Sequence, residues 1–95
     1  QGALGIILLI DHSAADPVAD LANYLDTFSK IYHGRIVVGV SQVDKAPERD
    51  FAIYRDWLAE HQKNLPIFPV DMRKREDVLL LVDTIIASLE LSEMA

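Results

Sequence analysis

Three times along the chain a short apolar run gives way to a longer segment whose apolar residues recur at helical spacing. The first run, Leu4 to Ile10, is continuous and branched, which predicts a strand buried on both faces. Asp16-Pro17 then supplies a helix start, a side-chain cap followed by proline in the first turn. Val18, Leu21, Ala22, Leu25 and Phe28 follow on one helical face, and Gly34 closes the segment. Arg35 to Val40 predicts a second buried strand. After a polar loop over 41–47, Phe51, Tyr54, Trp57, Leu58 and His61 mark one face of a second helix, stopped by Asn64-Leu65-Pro66. Trp57, on that stripe, is read as core. Asn23 and Tyr24 fall on the outer face of the first helix.

Ile67, Phe68 and Val70 predict a short third strand, with Pro69 marking an irregular or edge position. The last helix is predicted from about Arg75 to Leu91. Its stripe of Val78, Val82, Ile85, Ile86 and Leu89 is widened by Leu79, Leu80 and Leu81, and a helix apolar over more than one face implies extensive burial or a partner. The fold class is therefore α/β. Three parallel strands alternate with three helices through right-handed crossovers, and ligands in such sheets bind beyond the carboxyl ends of the strands.

Composition narrows the partners. Ninety-five residues make one domain at most, and 51% apolar content argues against disorder. The formal charge of −6 disfavours non-specific attraction to nucleic acid or anionic lipid, although Arg73, Lys74 and Arg75 form a local basic patch. No cysteine is present, which excludes a disulfide scaffold and is compatible with a cytoplasmic location. The longest apolar run falls well short of the roughly twenty residues a membrane span needs. It also lacks the basic flank of a secretory signal.

Three carboxylates, Asp11, Asp44 and Asp71, fall just past the three strands, on one edge of the predicted sheet. Two readings stand for them: a polar ligand site, with a hard cation among its occupants, or the satisfaction of loop and helix-terminal amides. The spacing of His12, His33 and His61 puts no two on one helical face, which speaks against a zinc site.

The run Gly5-Ile-Ile-Leu-Leu-Ile-Asp11, the run Val37-Val-Gly-Val-Ser-Gln-Val-Asp44, and Phe68-Pro-Val-Asp-Met-Arg-Lys-Arg-Glu-Asp-Val78 before an apolar helix together resemble the later half of Ras-like small GTPase domains. The nearest flavour is that of bacterial GTP-binding proteins of the MglA type, and the resemblance covers nearly the whole chain. It implies half of a doubly wound P-loop GTPase-like sheet. In that family an Asn-Lys-x-Asp segment reads guanine, and Ser41-Gln42-Val43-Asp44 lies at the matching place. The resemblance thus assigns Asp44 to the base, where a carboxylate accepts paired hydrogen bonds from the guanine N1–H and exocyclic amine. Gln42 stands where the family's lysine stacks on the base, and Ser41 where its asparagine braces the loop. Asp71, Met72 and Arg73 fall where the family has Ser-Ala-Lys, a segment whose backbone amide meets the base carbonyl.

The family's Gly-rich phosphate loop and its Asp-x-x-Gly segment do not occur in these residues. Without them, phosphates, magnesium and an attacking water have no cradle. The resemblance therefore implies the base-recognition side of a GTP-binding protein. GTP or GDP and Mg would belong to an intact parent, and no hydrolysis is expected from this chain alone. The alternative is a catalytically silent interaction module on the same scaffold. A phospho-receiver-like reading, with Asp11 as acceptor and Ser41 as switch hydroxyl, lacks the five strands and acidic pair of that fold. Finally, in a Ras-like sheet the strand at Leu4 to Ile10 neighbours the phosphate-loop strand. Here it is expected to be a bare apolar edge that drives self-association.

Overall fold

A computed structural model describes residues 5–29 and 35–94, with Ser29 and residues 88–94 described for their backbone only. Leu4, His33 and Gly34, and the side chain of Leu89, lie outside what is described. The elements run β1 (Gly5–Asp11), α1 (Pro17–Ser29), β2 (Arg35–Ser41), a 3₁₀ turn (Val43–Lys45), α2 (Ala52–Glu60), β3 (Ile67–Pro69) and α3 (Arg75–Met94). The strands form one parallel sheet in the order β1-β2-β3. This is the predicted α/β fold of three parallel strands and three helices, with helices on both faces as in half of a doubly wound sheet.

The alternation of side chains along β2 builds two cores, one on each face. Val38 and Val40 point with Leu8 and Ile10 of β1 to the side covered by α1 and α2, where they meet Leu21, Leu25, Tyr54 and Leu58. Val37 points to the other side and joins Val70 with Leu81 and Ile85 of α3. β2 is therefore buried on both faces, as its continuous apolar run requires.

β1 is not, and here the sequence reading needs correction. Leu8 and Ile10 are buried, but Ile7 and Leu9 on the α3 side remain 37% and 45% exposed. β1 lies at the sheet edge, and α3 crosses the sheet obliquely. Leu81 of α3 packs over Gly39 of β2, and Ile85 over Gly5 at the start of β1, with the helix too close at both places for a Cβ to fit without displacement. The far end of β1 is left uncovered. In α3 itself, Leu81 and Ile85 are buried while Leu79, Leu80, Val82 and Ile86 are exposed. The broad apolar surface predicted for this helix is thus only partly used by the chain.

The boundaries follow local chemistry. Asp16 Oδ1 accepts from the Ala19 amide at 3.1 Å, with Pro17 opening α1. Asp50 Oδ1 accepts from the Ala52 amide at 2.9 Å ahead of α2. Pro69 sits on the edge strand, as expected. The Val38 amide donates to Pro66 O and the Val70 amide to Val40 O, so the alternation turns position 69 outward, where a missing N–H removes no ladder bond. Among the described residues no helix is long and apolar enough to cross a membrane.

Candidate functional site

Beyond the carboxyl ends of β2 and β3, the 3₁₀ turn and the 70–74 turn enclose an open cleft of about 640 Å³. Ser41, Gln42, Val43, Asp44 and Lys45 form one wall, and Pro69, Val70, Asp71, Met72, Arg73 and Asp77 the other. All six residues assigned from the sequence to base binding line it. This is the location that topology dictates, because the loops leaving two adjacent parallel strands diverge and leave a crevice between them.

Ser41 ends β2, and its hydroxyl donates to Ile10 O at 3.3 Å, while Ser41 O accepts from the His12 amide at 2.9 Å. The serine ties the cleft wall to the end of β1. Gln42 adopts a left-handed backbone (φ 60°, ψ 29°), which swings the chain out of the strand and into the turn. Lys45 N donates back to Gln42 O at 3.1 Å. The carboxylate of Asp44 is exposed and accepts no hydrogen bond from any described residue. It braces nothing in its own loop, and both oxygens are free to accept.

The opposite wall is more tightly bonded. Asp71 Oδ1 accepts from the Arg73 amide at 3.0 Å and from Arg73 Nε at 2.9 Å, and Oδ2 accepts from Arg73 Nη2 at 2.9 Å. This two-pronged guanidinium contact, with the Arg73 amide behind it, holds the Asp71 carboxyl down at about 2. The same contact pushes the Arg73 guanidinium up, with a smaller contribution from Asp44. The Asp71 amide donates to Asp77 Oδ2 at 2.7 Å, and the Lys74 amide to Asp71 O at 2.9 Å. In this turn only the Met72 amide has no protein acceptor among the described residues. Arg73, with its side chain 81% exposed, is a solvated residue of the turn rather than a buried ligand.

Asp11 does not join the cleft. Its Oδ1 accepts from the Ser13 hydroxyl at 2.6 Å and the Ser13 amide at 2.9 Å, and these bonds lower its carboxyl below the ordinary range. The reading in which such an aspartate satisfies loop amides holds for this residue. No group of three acidic or histidine side chains that could hold a metal ion is gathered among the described residues.

Sequence reasoning missed the support behind the site. His12 is fully buried, with Nδ1 at 2.6 Å from Tyr54 Oη and Nε2 at 3.0 Å from Arg49 O. Arg49 Nη1 in turn donates to His12 O at 2.8 Å and Ala14 O at 2.7 Å. These bonds join the end of β1 to the segment entering α2 across more than thirty positions, and no local signal announces them. The role of Asp77 had a faint signal, an acidic residue in the first turn of α3. No family model matches the chain, and no curated protein matches it.

Proposed function

We propose that this chain is the base-recognition side of a GTP-binding domain related to the Ras-like GTPases, without phosphate-binding or hydrolytic machinery in these 95 residues. The observation that carries the reading is that one cleft is lined both by Asp44, whose carboxylate accepts no hydrogen bond among the described residues, and by Met72, whose amide has no acceptor among them. Guanine presents two adjacent N–H donors and a carbonyl acceptor on one edge. A carboxylate and an amide on opposite walls complement that edge, whereas adenine offers a different donor pattern. The cleft carries the acidic side chains of Asp44, Asp71 and Asp77 against the basic side chains of Lys45 and Arg73, a balance suited to a neutral donor edge and unsuited to polyphosphate.

The test is an NMR titration of the 15N-labelled chain with guanosine and with adenosine at millimolar concentration. Guanosine is expected to shift the amides of Ser41 to Lys45 and of Asp71 to Arg73, adenosine to do so less. Asp44→Asn is expected to weaken the guanosine response on the order of tenfold or more, the worth of a charged hydrogen bond. Equal responses to both nucleosides, or none, would overturn the proposal. Calorimetry with GDP is expected to show no submicromolar binding.

A second reading, an interaction module with no nucleotide, is favoured by a different observation: the apolar side chains left exposed on β1 and α3. On either reading we infer self-association through the open edge of β1.

A further inference from the structure

The chain holds no cysteine and two methionines, Met72 and Met94, so those thioethers are its whole sulfur chemistry. Met72 follows β3 in the turn that forms one wall of the cleft, and its side chain is 43% exposed. The other large apolar side chains exposed among the described residues lie on β1, α1 and α3, and Met72 alone is at the cleft. Turns are the place of glycine, proline and small polar residues. A long thioether here presents a polarisable, adaptable apolar surface, beside the apolar lining of Val43, Pro69 and Val70.

The turn does not depend on that side chain. The Asp71 carboxylate accepts from the Arg73 amide and guanidinium. The Asp71 amide donates to Asp77 Oδ2, and its carbonyl accepts from the Lys74 amide. The Met72 side chain takes part in none of these bonds, so its sulfur can change without unmaking the wall. Met94 is placed differently. It ends α3, which starts beside the cleft at Arg75 and has Ile85 already over Gly5, at the opposite end of β1. A change at Met94 therefore falls away from the cleft.

We propose that Met72 is a redox-modification site, where a hydroperoxide converts the thioether to the sulfoxide and so weakens the cleft's hold on its ligand. The sulfur lone pair attacks one peroxide oxygen, and an S–O bond forms as the O–O bond breaks. The departing hydroxide takes the proton from the oxygen now on sulfur and leaves as water. Sulfur is oxidised by two electrons, and the peroxide is reduced. No thiol in the chain competes for the oxidant. The product puts a strong dipole where the cleft had an apolar side chain. A ligand that covers it must strip water from the sulfoxide oxygen without returning a hydrogen bond. The consequence for guanosine rests on the base-recognition reading, whereas the modification and its effect on the cleft walls do not.

Treating the full chain with millimolar hydrogen peroxide tests it. Trypsin cuts after Arg73, Lys74 and Arg75, so mass spectrometry reads Met72 and Met94 on separate peptides. Met72 is expected to oxidise within about threefold of the rate of methionine in an unstructured peptide, as its exposure requires. Circular dichroism should show the fold retained. In the 15N spectrum, oxidation should shift the amides of Ser41 to Lys45 across the cleft as well as those of Asp71 to Arg73. Guanosine should bind the oxidised chain on the order of tenfold more weakly. In Met72→Leu, which lacks the sulfur, peroxide should change neither the cleft amides nor the guanosine response relative to the untreated variant, although Met94 is oxidised. Methionine sulfoxide reductases with a thiol reductant should return the oxidised parent chain to its starting spectrum. Resistance of Met72 to peroxide overturns the proposal. So does oxidation that leaves the Ser41 to Lys45 amides in place, or shifts that persist in treated Met72→Leu. Where guanosine binds the untreated chain, an affinity unchanged by oxidation overturns it as well. An untreated chain that ignores guanosine overturns the base-recognition reading instead, and the peroxide-induced shifts across the cleft then decide whether Met72 is the site.

Discussion

At the scale of single residues, the chain spends its most demanding chemistry beside the cleft rather than in it. Arg49 O can only accept, so His12 Nε2 must carry a hydrogen, and in the neutral ring Nδ1 accepts from the Tyr54 hydroxyl. Burial pushes that hydroxyl up to about 12, which keeps it a donor across the ordinary pH range. Tyr54→Phe would leave a buried ring nitrogen without its partner, and we expect a loss of about 1–3 kcal/mol in urea unfolding. Asp71 offers a second check. Its carboxyl is depressed by Arg73, so the contact is complete above the ordinary aspartate value near 3.8 and is lost as pH falls through about 2. In Arg73→Ala the carboxyl titration followed by NMR should move back up toward 3.8. Asp44 and Asp71 were visible in the sequence because a carboxylate after a buried strand has few places to go. His12 was visible only as a residue, since its partners are brought to it by the sheet and by α2.

At the scale of elements, the ends are set by hydrogen bonds that a single residue can strain. α2 closes in a Schellman arrangement, with the Lys63 amide donating to Leu58 O at 2.8 Å and the Gln62 amide to Ala59 O at 3.1 Å. The left-handed position, φ 56°, is occupied by Gln62 where glycine is preferred. Gln62→Gly should therefore stabilise the chain by about 0.5–1 kcal/mol, a rise of roughly 2–8 °C in Tm. The strands and helices were legible because short continuous apolar runs alternate cleanly with period-3.6 patterns. Asp16-Pro17 marked the start of α1 for the same reason that it caps it. The end of α2 was legible only through Asn64 to Pro66, because Gln62 at the left-handed position does not advertise a stop. The exposure of Ile7 and Leu9 was not legible from β1 alone. A continuous apolar run reads as buried whether or not the chain supplies the second cover.

At the scale of the whole molecule, the strand order explains why one cleft and one open edge occur together. The cleft lies where the loops after β2 and β3 part; topology pointed Asp44 and Asp71 to that edge, and the family resemblance added Ser41 and Gln42. The open edge lies on the other side of β2, so occupation of one need not obstruct the other. The two edges of the sheet also differ in kind. β3 is three residues long, and Pro69 turns outward from it, so that side offers a newcomer almost no ladder to extend.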